Sequence, residues 1–306
     1  MKKIFLTGGR GMVGQNLLCH PHSKSYEIIA PSRKDLNLCD ATQVKNFLKA
    51  TKPDIVIHAA GKVGGIQANI AQPYEFLFEN MQMGFNVVNA AKELEIKDLI
   101  NLGSSCMYPR NASNPLKEKD ILTGELEPTN EGYALAKISV AKLCVAATIK
   151  GYCYKTLVPC NLYGFWDKFD PNKSHMIPAI INKIHLSKQN NDLPIEVWGT
   201  GNARREFMFA EDLADFVYFA LNNLNNIPNI INVGLGYDYS VLEYYTIAKA
   251  VLQAKGQLIF DTTKPEGMKQ KVVDVTEQQS LGWTPKTDLK TGLEKTYNHF
   301  KENFAI

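Results

Sequence analysis

Thr7-Gly8-Gly9-Arg10-Gly11-Met12-Val13-Gly14 follows the β-rich run 4–7 and leads directly into a stretch, 12–18, whose apolar residues recur at helical spacing. Glycines at 8, 11 and 14 suit a strand-to-helix turn that wraps a pyrophosphate. Gly8 allows the tight turn, Gly11 lets backbone approach the phosphates, and Gly14 permits close packing of helix on strand. The N-terminus of that helix, with the N–H groups of Met12 and Val13, adds free donors and a partial positive charge.

The same alternation continues outward. Runs 26–30, 54–59, 99–103 and 156–159 read as further strands, and 41–50, 74–94 and 131–149 as helices. That order predicts an α/β chain, a Rossmann-type doubly wound parallel sheet with helices on both faces. After Gly164 the pattern is expected to become irregular, with Pro171, Pro178 and Pro194 as breaks and Phe165-Trp166 in a loop. Residues 1–164 therefore read as a dinucleotide-binding domain, and 165–306 as a smaller, interleaved C-terminal region for substrate. The helix from Glu211 and the strand 230–234 are expected to return 211–235 to the first sheet.

Composition excludes other classes. The 306 residues are 45% apolar and 21% charged, as in a folded globular chain, and a net charge of +3 with scattered Lys and Arg gives no footprint for nucleic acid. No apolar run approaches the roughly 18 residues of a membrane span. Six cysteines without a CxxC pair or a metal-like Cys and His spacing suggest a reduced, cytoplasmic protein with no metal.

At the end of the second strand, where an acidic residue would meet the ribose hydroxyls of NAD, stands Ser32-Arg33-Lys34. Arg33, with Arg10 from the glycine turn, suits a 2′-phosphate, so NADP(H) is the expected cofactor. Solvated surface cations are the bland alternative. Asp40 suits the adenine amine, the N-cap of the next helix, or both. Ala59 and Ala60 end the third strand with small side chains where a cofactor would lie.

Tyr133-Ala134-Leu135-Ala136-Lys137 puts a phenol and an ammonium on one helix face, and Gly103-Ser104-Ser105 ends the fourth strand at the same edge. With the glycine turn, these residues resemble the extended short-chain dehydrogenase/reductase family over nearly the whole chain. The resemblance implies that Tyr133 exchanges a proton with the reacting oxygen, that Lys137 lowers the tyrosine pKa and holds the nicotinamide ribose, and that Ser104 orients the carbonyl. A fixed ammonium beside a phenol favours its ionised form, which makes those roles physically sound.

Longer strings narrow the resemblance. Gly103-Ser104-Ser105-Cys106-Met107-Tyr108-Pro109, Asn161-Leu162-Tyr163-Gly164, Ser174-His175-Met176-Ile177-Pro178, Val197-Trp198-Gly199 and Arg204-Arg205-Glu206-Phe207 are similar to the GDP-L-fucose synthase family. That likeness implies a GDP-linked 4-keto-6-deoxy sugar as substrate, Cys106 and His175 as an acid and base pair for 3,5-epimerisation, and a homodimer packed through 74–94 and 131–149. Ser105, Asn161, Trp198 and Arg205 become substrate-binding candidates, Arg205 for the diphosphate with Lys183 as a helper. Gly132 stands where that family has proline, Phe209-Ala210 where it has histidine and valine, and Lys269-Gln270-Lys271 lacks an arginine. Two alternatives stay open: a C4 reductase of a GDP-4-keto-6-deoxy-heptose that leaves Cys106 and His175 unused, and an inactive NADP-binding scaffold or redox sensor.

Overall fold

The computed structural model describes residues 1–170, 174–264 and 268–304, so the break expected at Pro171 lies outside the described residues. Strands β1 (Lys2–Thr7), β2 (Tyr26–Ile29), β3 (Ile55–His58), β4 (Asp98–Leu102) and β5 (Cys153–Pro159) alternate with helices α1 (Met12–Cys19), α2 (Ala41–Thr51), α3 (Ile66–Ala71), α4 (Pro73–Glu93) and α5 (Glu131–Thr148). Then come β6 (Asn161–Tyr163), α6 (Met176–Gln189), β7 (Ile195–Trp198), β8 (Arg204–Arg205), β9 (Phe207–Phe209), α7 (Ala210–Asn222) and β10 (Ile230–Val233). The last elements are β11 (Tyr239–Ser240), α8 (Val241–Val251), β12 (Leu258–Asp261), β13 (Gln270–Lys271), α9 (Thr276–Ser280) and α10 (Leu289–Asn303).

Six strands form one sheet in the order β10-β5-β4-β3-β1-β2, parallel throughout. Ile4, Phe5, Leu6, Ile55, Val56 and Ile57 are all buried, as strands covered on both faces require. The chain winds from β1 to β2, then crosses back to β3 and outward. The crevice beyond the C-terminal ends of β1 and β3 is therefore the topological switch point, where open α/β sheets bind ligands. β10 supplies the outer strand beside β5, and α7 packs on α1.

The region after Gly164 is more regular than its sequence suggests. Pro178 lies in the first turn of α6, where the missing N–H costs nothing, so it does not break the helix. Ile177, Ile180, Ile181 and Ile184 of α6 then build a second core with Tyr244 and Leu252. Gly132 also has a reason: a Cβ there would lie 2.9 Å from the Pro73 carbonyl oxygen, because α5 starts flush against the first turn of α4. Phe209 is packed among Tyr163 and Phe165. All six cysteines are free, and among the described residues no helix is long and apolar enough to cross a membrane.

Glu206, between β8 and β9, is 1% exposed. Its carboxylate accepts hydrogen bonds from the N–H groups of Leu235 (2.6 Å), Gly236 (2.9 Å) and Val273 (2.8 Å). Burial pushes this carboxyl up to about 7, against the pull of those three donors. It thereby pins the loop after β10 and the segment after β13 to one point. Glu206→Gln turns an amide N–H₂ toward a backbone donor and is expected to lower stability by about 1–3 kcal/mol, read as a lower urea midpoint. An unchanged midpoint would show that the junction does not depend on the carboxylate.

Candidate active site

The glycine turn leaves β1 with Gly8 at φ +74°, and a Cβ on Gly8 would sit 2.8 Å from Ala60 Cα. A Cβ on Gly14 would run into the Gly8 carbonyl. At Gly11 the same addition meets only Gly8 O at 3.4 Å, so the protein itself leaves room there for a ligand. Gly11 is the N-cap of α1 and brings no side-chain oxygen to the first-turn N–H groups of Met12 and Val13. Thr7 Oγ1 accepts from Ala60 N (3.1 Å) and meets His58 Nδ1 (2.9 Å), lacing the ends of β1 and β3 together beside Ala59. This geometry fits a dinucleotide pyrophosphate.

Beyond β2 an acid does occur, Asp35, but its carboxylate already accepts from the Ser32 N–H (2.9 Å) and hydroxyl (2.6 Å). Arg10 is near enough to help hold that carboxyl below the usual range, after the two Ser32 bonds. Arg10, Arg33 and Lys34 are exposed and, among the described residues, make no side-chain hydrogen bond or ion pair. Asp40 caps α2: its two oxygens accept from Gln43 N (3.0 Å) and Gln43 Nε2 (2.9 Å). An adenine contact at Asp40 would have to share those oxygens.

At the ends of β4 and α5 a tight polar cluster forms. Ser104 caps the short 3₁₀ turn Ser105–Met107, its hydroxyl accepting from Cys106 N at 3.4 Å, which buries Ser105 and Cys106. Lys137 Nζ is buried, donates to the Leu102 carbonyl at 2.8 Å and lies 5.7 Å from the Tyr133 ring. Burial pushes Lys137 down to about 8, with Cys106 opposing the shift. The Tyr133 phenol is held well above its ordinary value by burial, then by Cys106, against the Ser104 hydroxyl. It rests protonated, as a proton donor must.

Burial raises the Cys106 thiol, and Lys271, the Ser104 hydroxyl and Lys137 draw it back. His175 is the N-cap of α6. Burial and Lys168 lower its pKa, so it rests as neutral imidazole, with no hydrogen bond among the described residues.

The remaining candidates lie on the second body. Asn161 Nδ2 donates to Glu206 O (2.9 Å). Lys183 is occupied, donating to Glu196 O (2.9 Å) and Oε2 (3.2 Å), and Trp198 Nε1 donates to the same carboxylate at 2.7 Å. The Trp198 ring is 44% exposed, with Lys183 and Lys264 5.1 and 5.7 Å from its centroid. Arg205 Nη1 donates to Arg204 O at 2.7 Å.

Sequence reasoning missed Lys271 as a neighbour of Cys106, since nothing in its spacing ties it to residue 106. It also missed a cavity of about 220 Å³ lined by Asn69, Phe76, Asn130 and Tyr133. Asn69 Oδ1 and Asn130 Oδ1 are buried there without a hydrogen-bond partner among the described residues, as acceptors awaiting a ligand hydroxyl or water would be.

A glycine turn at the switch point, with half-buried Ser104 and Tyr133 and buried Lys137 at the ends of β4 and α5, defines a nucleotide-cofactor enzyme of the short-chain dehydrogenase type. Residues 4–234 match the NAD dependent epimerase/dehydratase family, and the chain belongs to it. It is 53% identical over 300 residues to a GDP-L-colitose synthase of Yersinia pseudotuberculosis, covering 97% of each chain. It is 48% identical to a GDP-L-fucose synthase of Azorhizobium caulinodans, covering 98% of this chain and 96% of the other. Among solved structures, a GDP-D-glycero-L-gluco-heptose synthase from Campylobacter jejuni, crystallised in the presence of NADPH, superposes with a TM-score of 0.92 at 31% identity, covering 98% of each chain.

Removing the cations Arg10 and Arg33 together by Ala substitution is expected to weaken NADPH roughly 10- to 100-fold while NADH changes little, in a fluorescence titration. Equal losses for both would place the 2′-phosphate elsewhere.

Proposed function

We propose that this chain uses NADPH to reduce the C4 keto group of a GDP-linked 4-keto-6-deoxy sugar after epimerising the carbons beside it, as a GDP-L-fucose synthase type of enzyme. The observation that carries this reading is that buried Cys106 is in the same cluster as the half-buried Ser104 and Tyr133 and the buried Lys137. A reductase needs only the latter three. A fourth, acid–base group within their reach suits chemistry at the carbons flanking the ketone.

Carbons 3 and 5 are acidified by the 4-keto group. Cys106 as thiolate takes a proton from one face, the electron pair moves onto the C4 oxygen, and His175 returns a proton to the opposite face. The two faces call for two groups, and Cys106 and His175 are the candidates for them. Because His175 rests neutral it must gain a proton before it donates one, and because burial raises the Cys106 thiol it must lose one before it accepts, so epimerisation is expected to fall off toward both acid and alkaline pH. Ser104 then orients the C4 oxygen, and Tyr133 gives it its proton. NADPH, when bound, supplies the hydride. Lys137 would exchange its hold on Leu102 O for the nicotinamide ribose. Arg205 would meet the diphosphate and the exposed Trp198 ring the guanine, in a cytoplasmic protein.

The identity to a GDP-L-colitose synthase supports a second reading of the same site, in which the substrate lacks the C3 hydroxyl and C5 alone is inverted. GDP-linked 4-keto hexoses, 3-deoxyhexoses and heptoses are to be incubated with NADPH in heavy water, with products read by NMR. The favoured sugar should carry deuterium at C5, and at C3 where that carbon is also inverted. Cys106→Ser should abolish the label. Tyr133→Phe should keep it while slowing reduction roughly 100- to 10,000-fold. Reduction without any solvent label would sink the epimerase half.

We also infer a homodimer through α4 and α5. Tyr74, Phe78 and Phe85 of α4 and Leu135 of α5 are exposed, with the first two rings stacked 5.5 Å apart. Apolar side chains gathered along adjacent helices suit a self-complementary two-fold contact. Phe78→Glu is expected to yield monomers in analytical ultracentrifugation; a wild-type protein that sediments as a monomer would refute the inference.

A further inference from the structure

Two asparagines that share a cavity with Tyr133 hold oxygens that the rest of the protein does not use. Asn69, in α3, is 7% exposed, and its Nδ2 donates to Gly64 O at 2.9 Å and to Gly65 O at 3.0 Å. Only the N–H₂ end of an amide can face two carbonyls, so the orientation of this side chain is fixed and Oδ1 must turn the other way. That oxygen is buried and has no hydrogen-bond partner among the described residues. Asn130 is the N-cap of α5, a place where asparagine ordinarily spends its oxygen on an N–H of the first turn. Here the side chain makes no capping bond, and its Oδ1 is again buried without a partner among the described residues.

Both residues line the cavity of about 220 Å³ where α3 and the first turn of α4 meet the 3₁₀ turn Pro128–Asn130 and the start of α5. Phe76, Pro73 and Pro128 give it apolar walls, and the two prolines are exposed, so it opens to solvent. Its volume is several times the roughly 30 Å³ of one water molecule. A buried carbonyl oxygen left unpaired is costly, so two of them in such walls call for a ligand that brings hydroxyl hydrogens. Tyr133 belongs to the same lining, which places that ligand beside the phenol.

We propose that Asn69 and Asn130 form a hydroxyl-binding subsite that takes the C3 hydroxyl of the keto sugar and so sets a preference for a 3-hydroxy over a 3-deoxy substrate. The subsite rests on the reading that Tyr133 delivers its proton to the C4 oxygen of a GDP-linked 6-deoxy sugar. Of the two carbons flanking C4 in such a hexose, C5 carries a methyl group and only C3 carries a hydroxyl. That hydroxyl donates its hydrogen to the asparagine oxygens, and a sugar lacking it leaves both of them buried and unpaired. A site built to bond a hydroxyl rejects the analogue without one for this reason.

Binding alone tests the subsite. GDP-L-fucose and its 3-deoxy counterpart, GDP-L-colitose, are titrated calorimetrically into full-length wild type, Asn69→Leu and Asn130→Ala. Wild type should bind GDP-L-fucose roughly tenfold more tightly than GDP-L-colitose, about the worth of one hydrogen bond whose loss strands a buried acceptor. Asn69→Leu should erase most of that ratio by weakening GDP-L-fucose alone. Asn130→Ala removes an oxygen without removing a cap and should also reduce the ratio. NADPH affinity, read by fluorescence in the same samples, should hold in both variants, which confirms folded protein; if Asn69→Leu does not fold, Asn130→Ala decides. A wild type that binds the two nucleotide sugars equally overturns the proposal. So does a variant that weakens both sugars to the same degree, which would make the asparagines mere supports of the α3 turn. Binding of both sugars without discrimination leaves the GDP-sugar reading standing, whereas binding of neither to wild type refutes that reading and the subsite with it.

Discussion

The Lys137 ammonium, donating at 2.8 Å to the Leu102 carbonyl, joins the last residue of β4 to the first turns of α5 in a buried setting. An ammonium removed from water must find acceptors or lose its proton. Its one carbonyl partner leaves it depressed to about 8. It also depresses its neighbours: His58, wholly enclosed, is driven to about 3 by burial and by Lys137. His58 is therefore a neutral ring that joins the ends of β1 and β3 through Thr7, and not a proton carrier. The position of α5 thus sets both the tyrosine cluster and the rigidity of the dinucleotide crevice.

Charge is distributed unevenly across the cleft. On the cofactor side Asp35 is folded back on Ser32, and Arg10, Arg33 and Lys34 are exposed. In the small sheet β11-β8-β13, Asp238 accepts from both Arg204 and Gln270. Glu206 follows the same habit, its bonds all running to the backbone N–H groups of Leu235, Gly236 and Val273.

Local chemistry made the first half of the fold legible. The glycine turn, the apolar strands and the helices at 74–94 and 131–149 each carry a period or a backbone requirement that reads without knowing the neighbours. α3 did not read, being six residues long and preceded by Gly64-Gly65. Nor did α6, where Pro178 looks like a break until its place in the first turn is known. Ser104, Tyr133 and Lys137 could be picked out by spacing and by family likeness. Lys271 could not, because its relation to Cys106 depends on a two-residue strand brought in over more than half the chain. The occupation of Lys183 by Glu196 was equally hidden, since no spacing rule links residues 183 and 196 across a loop.

Cys106 and Tyr133 share one enclosure, and their charges are linked. A negative sulfur raises the tyrosine pKa further, so while Cys106 is ionised the phenol keeps its proton. Once the thiolate has taken a proton from the sugar, that repulsion disappears, and the phenol becomes a better donor. In the proposed reaction this coupling favours proton abstraction beside the ketone before proton delivery to its oxygen.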